Sequence, residues 1–381
     1  EKFHGLQDQE TRYRKRYLDL LGSEVQRRHF AARSGVVRAM RRTLDNRGFL
    51  EVETPILVPI PGGGTAEPFE THWKALHTDV YLRIAIELHL KRLVVGGFHR
   101  VYEIGRVFRN EGIGPRWNPE FTMLEAYQAY ANYDDMRELT ETLIVEAANA
   151  IGPQPGDEEG GGPACEDPLT RRYEGRSVDL RPPFTASRMV DLVRERTGVD
   201  VLDRWDDMSR VAHELGVEAP PSAGAGGILF EIYEQRVEPE IWEPTFVLDY
   251  PAEVSPLARR RRDDPRFVER FELIATGREL ANAFSELNDP IDQRRRFEEQ
   301  ARLRAAGDSE IPPIDEDFLE ALEMGMPPAG GLGIGVDRLF MLLTGATNIR
   351  DVLLFPTMRP LHRTSHESPR HESPSERAED A

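Results

Sequence analysis

The stretch Val101–Tyr127, VYEIGRVFRNEGIGPRWNPEFTMLEAY, holds two alternating runs around a polar tip with Gly112, Gly114 and Pro115. That pattern predicts an antiparallel hairpin with a long tip. On the return strand a side-chain period of two places Phe121, Met123, Glu125 and Tyr127 on one face. A carboxylate and a phenol beside an aromatic ring and a methionine make an odd core. Burying Glu125 alone would cost on the order of several kcal/mol, so a cationic partner or a bound ligand is expected to meet it. Arg109 and Glu111 end the outgoing strand and Arg116 sits on the tip. A salt-bridged hairpin edge would account for these charges without a ligand.

Downstream, Phe271–Asp289 (FELIATGRELANAFSELND) mixes amide, ring and carboxylate again, with Asn282, Phe284 and Glu286 sharing a face. Glu272 and Glu279 are too far apart to be neighbours on one strand, yet adjacent strands or a bend at Gly277 could bring them together. Two carboxylates converging without an internal cation would repel, which makes Mg2+ the natural neutraliser. Taken alone, two solvated carboxylates are the plainer explanation. Residues 330–340, GGLGIGVDRLF, are read as a glycine-rich turn over 329–335 that leads into a helix from Val336 to Leu343, with Arg338 in its first turn. Such glycines admit a second backbone or a planar ligand at close range, or pack a helix tightly on a sheet. The spacing is not the dinucleotide fingerprint, and no Walker-type lysine motif occurs. A nucleotide would be held by arginines and Mg2+ instead of a P-loop.

The length of 381 residues predicts about two domains, or one large domain with an insertion. A single cysteine, Cys165, excludes a disulfide framework and a Cys-rich zinc module, and fits a reducing, cytoplasmic setting. No apolar run is long enough to span a membrane, and the opening residues are too polar for a secretory signal. Sixty-seven acidic against 49 basic side chains leave a formal charge of −18. Nonspecific phosphate attraction cannot be this chain's main business, so any nucleic-acid contact is expected to be oriented and confined. Arg12, Arg14, Lys15 and Arg16 form one basic cluster and Arg259–Arg262 another, each more plainly a solvated face.

Residues 1–26 read as a linker or docking arm. A helix follows from Phe30 to Leu44, stopped at Gly48, and then a strand-like FLEVET before Pro55. Strands are predicted at 80–86, 101–109 and 120–127, with helices at 88–95 and from Asp134 to Ala150. Residues 152–168 read as a flexible acidic insertion. A mixed helical region over 184–240 precedes strands at 244–250 and 267–287. The tail 361–381, with its repeated HESP, reads as disordered.

The three segments resemble the signature motifs of class II aminoacyl-tRNA synthetases, and in detail those of the bacterial lysyl-tRNA synthetase family. GFLEVETPIL resembles the first, dimer-forming motif, FRNEG with NPEFTMLEAY the second, and GLGIGVDR the third. KFHGLQDQE and RYRKRYLDL resemble the segment that joins the family's anticodon-binding OB domain to its catalytic domain. The likeness runs from Glu1 to Pro360, without the OB domain itself. It implies an α+β fold, an antiparallel sheet flanked by helices, with a catalytic domain over 27–360 and a homodimer. By the same resemblance Arg109 contacts the α-phosphate and the substrate carboxylate, and Phe121 stacks on adenine. Glu111 and Asn118 belong to the ATP site, and Arg338 holds the far phosphates. Glu272 and Glu279 bind Mg2+. Gly63 and Glu87 meet the α-amino group and Asn282 the carboxylate. Glu125, Tyr127 and Glu286 receive the ε-ammonium, with Phe284 lining the aliphatic stem.

The chemistry so implied is ATP-dependent activation of L-lysine and its transfer to tRNA(Lys), driven by positioning and charge neutralisation. Discrimination would come from buried carboxylates that an uncharged competitor leaves unpaired. One departure stands out: Trp117 occupies a position where the family's second motif usually has His. An indole can only donate one hydrogen bond or stack, which implies a weaker hold on ATP or altered loop closure. Ile86 and Ala283 also differ from common family residues. Two alternatives remain. One is an OB-less paralogue that lysylates a translation factor, against which Gly333 and the KFHGL linker speak. The other is a regulatory paralogue, whose mark would be loss of Arg109, Arg338 or a metal glutamate. Without an OB domain, tRNA charging is expected to be weak and salt-sensitive.

Overall fold

The computed structural model describes residues 6–154, 165–305 and 311–361. Eight strands build the main sheet: β1 Leu50–Glu51, β2 Arg100–Phe108, β3 Glu120–Ala129, β4 Thr185–Arg188, β5 Thr245–Leu248, β6 Arg270–Ala275, β7 Arg278–Ser285 and β8 Ala329–Gly335. Their spatial order is β1-β2-β3-β8-β7-β6-β5-β4. All inner pairs are antiparallel, but the outermost pairs, β1 with β2 and β4 with β5, are parallel. The expected antiparallel sheet is therefore amended at both edges.

Alternation along the strands separates two faces. Leu124 and Ala126 of β3, Ala281 and Ala283 of β7, and Leu332 and Ile334 of β8 point to one side. There they pack on the helices Glu24–Asn46, Tyr133–Ile151 and Val336–Thr344 through Met40, Leu44, Leu143 and Phe340. The interleaved residues of the same strands face the opposite side. The second face carries the candidate site. It is flanked by the helices Glu87–Val95 and Glu316–Glu323, which share Leu90, Phe318 and Leu322 with Val101 and Tyr127 in a smaller core.

The segment 329–335 is a strand and not the turn that its glycines suggest. β8 lies between β3 and β7, with Gly333 opposite Glu125 on one side and Asn282 on the other. Glycine carries no side chain, so no alternation is visible in the sequence. The close approach that glycine was expected to permit does occur. A Cβ on Gly330 would lie 2.8 Å from the Asn132 carbonyl oxygen, behind the sheet. Smaller differences are shortened strands: FLEVET contributes only Leu50–Glu51, and the strand expected at 80–86 is Thr78–Leu82, in a separate three-stranded sheet.

The N-terminal arm docks as two short helices, Gln9–Arg14 and Arg16–Gly22. Tyr13 donates its hydroxyl to Asp351 at 2.9 Å. Arg16 is buried and donates to the carbonyls of Arg350 and Leu354, with Asp19 as its ion-pair partner. Arg12 also turns to Asp19, and Arg14 to Glu10 and the Arg359 carbonyl. The basic cluster is thus mostly spent inside the fold, which leaves Lys15 exposed. Arg259 and Arg261 are likewise paired, with Glu269 and with Asp249 and Asp263. Most of the acidic insertion (155–164) and the tail after Leu361 lie outside the described residues. Among the described residues no helix is long and apolar enough to cross a membrane.

Candidate functional site

The exposed sheet face forms the floor of a cleft. Phe121, Met123, Glu125 and Tyr127 of β3 line it beside Asn282 and Phe284 of β7 and Gly331, Gly333 and Gly335 of β8. Gly63 and Glu87 form one wall, the hairpin tip supplies Arg109, Glu111, Trp117 and Asn118, and Glu279 with Arg338 closes the far rim. A second cavity shares Gly63, Glu87, Arg109, Glu279, Asn282 and Phe284 and continues to Arg270 and Glu272. The residues singled out in the sequence converge here, except that Glu286, 1% exposed, is packed behind the Tyr127 ring and lines neither cavity. Gly331 makes room for it: a Cβ there would overlap Glu286 Oε1 and come within 2.6 Å of Tyr127 Cε1. Gly63 has φ +87°, a left-handed conformation that suits glycine, and a Cβ would press on Ala85 and Glu87.

One end of the cleft is acidic. Glu125 Oε1 accepts the Ile86 backbone N–H at 3.0 Å, and Oε2 accepts the Tyr127 hydroxyl at 3.2 Å. A backbone amide and a phenol therefore meet Glu125, where the sequence led to the expectation of a cationic partner or a bound ligand. Burial, helped by the charge of Glu87, pushes Glu125 up to about 7 against the pull of those hydrogen bonds and Arg109. Burial also raises Glu286, opposed by the Lys91 ammonium and reinforced by Glu87. Tyr127 is held well above its usual range by burial and by Glu87, Glu125 and Glu286, so it stays a neutral donor.

Lys91 changes the electrostatic account. Its Nζ lies 2.6 Å from Glu87 Oε1 and 2.5 Å from Glu286 Oε2. The Lys91 ammonium thus meets Glu286 Oε2, while Glu286 Oε1 is buried without a partner. Glu87 and Glu286 are partly neutralised from within.

The other end is basic. The Arg109 guanidinium lies 5.3 Å from the Phe121 ring centroid, and its Nε is buried without a partner. Arg338 Nη1 donates to the Glu279 carbonyl and to Glu279 Oε2, each at 3.2 Å. Asn118 Nδ2 donates to the Glu120 carbonyl at 2.6 Å, and its Oδ1 accepts the Thr357 N–H at 3.2 Å. The oxygen end ties the hairpin tip to the C-terminal segment, as does the Ile349 N–H to the Pro115 carbonyl, while the nitrogen end closes within the hairpin. Glu111 stands exposed on the rim, and Trp117 is half exposed beside Gly114.

Glu272 and Glu279 converge across the β6–β7 hairpin, where register shifts between Leu273 and Ile274. They do not lack internal cations: Arg270 pairs with Glu272 at 2.6 Å and Arg338 with Glu279. Among the described residues no group of three or more His, Cys, Asp or Glu could hold a metal. Two carboxylates nevertheless suit Mg2+, which keeps several waters and takes substrate phosphates as ligands. Burial and then the like charge of Glu279 hold Glu272 well above the carboxylate range, so a cation between them would relieve a real repulsion.

Two residues escaped the sequence analysis: Lys91 and Arg270. Arg270 braces Asn282 Oδ1 at 3.0 Å as well as Glu272, leaving the Asn282 amide nitrogen for a ligand. A Glu–Lys pair one helical turn apart within the apolar ELHLKRLVV was the available signal for Lys91.

The family of tRNA synthetases class II (D, K and N) matches residues 8–359, and the chain belongs to it. Among curated proteins it is 54% identical over 363 residues to the lysine–tRNA ligase of Moorella thermoacetica, covering 94% of this chain and 71% of that one. It is 52% identical over 364 residues to that of Bacillus subtilis and 53% over 361 to that of Staphylococcus aureus strain MW2, covering 94% of this chain and 70% of each relative. The lysine–tRNA ligases are therefore the particular family to which the chain belongs.

Proposed function

We propose that this chain activates L-lysine with ATP, forming lysyl-adenylate and pyrophosphate, and passes the lysyl group to tRNA(Lys) with release of AMP. The observation that carries the choice of amino acid is Glu286, a buried carboxylate at the acidic end whose Oε1 meets no donor while Lys91 stands at Oε2. A long aliphatic side chain running along Phe284 and ending in an ammonium would supply a donor to the free oxygen; an apolar side chain would not. Glu87 and Gly63 would meet the α-ammonium, and Asn282 the carboxylate.

The lysine carboxylate attacks the α-phosphorus in line, and pyrophosphate leaves. Arg109, whose Nε is unsatisfied, would bridge the attacking carboxylate and the α-phosphate. Phe121 would take the adenine, and Arg338 the far phosphates. No side chain need act as a nucleophile, because holding both reactants in line and neutralising the phosphates supplies the acceleration. Glu272 and Glu279 would hold Mg2+, which supplies charge neutralisation on the phosphates.

A homodimer is part of the proposal. The edge strand β1 leaves Leu50 exposed, and Ile56, Leu57, Phe98 and Tyr130 are exposed large hydrophobics in the adjoining segments. Sedimentation showing a fully active monomer at micromolar concentration would refute it. A free Cys165 suits work in the cytoplasm. The decisive test of function is ATP–pyrophosphate exchange with each common amino acid. Lysine should support it alone; equal exchange with leucine or aspartate would sink the assignment.

A further inference from the structure

The activation chemistry makes no use of Lys91, although it is wholly buried in the helix Glu87–Val95 beside two of the proposed lysine contacts. Besides Glu87 and Glu286, its ammonium has the ring centroids of Phe284 at 5.3 Å and Phe318 at 5.9 Å. The chain has thus built an ammonium of its own beside the subsite proposed for the ammonium of a substrate. Such a group could be a rival occupant or a fixed counter-ion.

The surroundings favour the counter-ion. Lys91 is one turn from Glu87 on the same helix, and that helix is packed against the helix Glu316–Glu323 through Leu90, Phe318 and Leu322. A swing into water would expose the stem and abandon two carboxylates at once. The charge count agrees. Glu87, Glu125 and Glu286 bring three potential negative charges, and Lys91 cancels one. Arg109 also faces Glu125, but its charge is answered by the substrate carboxylate and the α-phosphate. Tyr127 stays neutral, the helix Glu316–Glu323 offers the Phe318 ring, and β8 offers Gly331.

We propose that Lys91 is a specificity-determining positioning residue, a permanent counter-ion that leaves the site two negative charges, the number that the α- and ε-ammonium groups of lysine supply. The inference rests on the lysine reading above. Without Lys91 the third charge has no partner in a buried site, so one carboxylate takes up a proton. Glu87 and Glu286 both lose their cation; Glu286, the more deeply buried, takes the proton, and a protonated Glu286 cannot answer the ε-ammonium with charge. Lysine would then bind well only at higher pH.

The test compares wild type with Lys91→Met and Lys91→Arg in the full chain, by lysine-dependent ATP–pyrophosphate exchange across the neutral pH range, with thermal unfolding alongside. In Lys91→Met the KM for lysine should rise about tenfold or more at neutral pH while the KM for ATP stays within about twofold. The acidic limb of kcat/KM for lysine should move up by about one pH unit, and Lys91→Arg should move it back. An unmoved limb with only a lower Tm would make Lys91 a structural brace and overturn the proposal. So would a fall in the KM for lysine, the mark of a rival occupant. If Lys91→Met does not fold, Lys91→Gln keeps a donor to the carboxylates without the charge and carries the same expectations. Wild-type exchange that does not need lysine would defeat the functional reading before any variant is made. A lysine-dependent wild type with unmoved variants would defeat the role of Lys91 alone.

Discussion

Gly331→Ala should damage lysine recognition and leave ATP binding intact. The added methyl would overlap Glu286 Oε1 and stand 2.6 Å from Tyr127 Cε1 and 2.9 Å from Tyr127 Cδ1. The backbone cannot back away, because Gly331 is paired with Tyr127 on β3 and with Phe284 on β7. The side chains must yield, and either Glu286 or Tyr127 leaves its place. Overpacking of this kind costs about 1–3 kcal/mol of stability. If the displaced group no longer meets the ε-ammonium, a charge-assisted hydrogen bond worth about 1.5–3 kcal/mol is lost, about 10- to 150-fold in the KM for lysine. Gly330→Ala is the matched control. Its methyl would strike the Asn132 carbonyl oxygen at 2.8 Å and Met136 Cγ at 3.0 Å, on the other side of the same strand. Both variants should lower Tm, but only Gly331→Ala should raise the KM for lysine in ATP–pyrophosphate exchange. Equal KM changes in the two variants would refute the argument, since the loss would then come from a weakened sheet and not from the subsite.

Glu286→Gln should raise the KM for lysine by about tenfold or more and change the KM for ATP little, because a charge-assisted acceptor is replaced by a neutral amide; an effect confined to ATP would contradict the pocket. The gain in Tm on adding lysine should grow with pH. Between the ordinary value of 4.5 and about 7, folded Glu125 keeps a proton that the unfolded chain has lost. Its contribution to the stability of the free protein therefore falls as pH rises through that window, while the ionised form that attracts lysine accumulates. A lysine-induced shift that shrinks over that window would show the opposite linkage. Trp117→His, which restores a donor facing the phosphates, should lower the KM for ATP about threefold to tenfold, read in the same exchange assay. Arg16→Met should cost about 2–4 kcal/mol, seen as a lower denaturation midpoint, because it strips donors from buried carbonyls and a partner from Asp19. The salt slope of tRNA binding should not change, since the Arg16 charge is buried against Asp19 and out of reach of a phosphate.

Within a single strand, side-chain direction follows from sequence order alone. Phe121, Met123, Glu125 and Tyr127 could therefore be placed on one face before any fold was known, and so could Asn282 with Phe284. The motifs carried the family, and with it the sheet and the residues that now line the cleft. The tertiary structure decided what each charge meets. It brought Lys91 from one helix to Glu286 beyond the end of β7, set Arg270 and Arg338 against the two glutamates expected to repel, and turned Arg16 inward onto backbone carbonyls. It also made a central strand of 329–335, whose glycines have no side chains to alternate but leave the room that Glu286 and Tyr127 fill. Alternation is a local property of the chain. Ion pairing and close approach depend on which distant segments the fold brings together, and no spacing in the sequence encodes that distance.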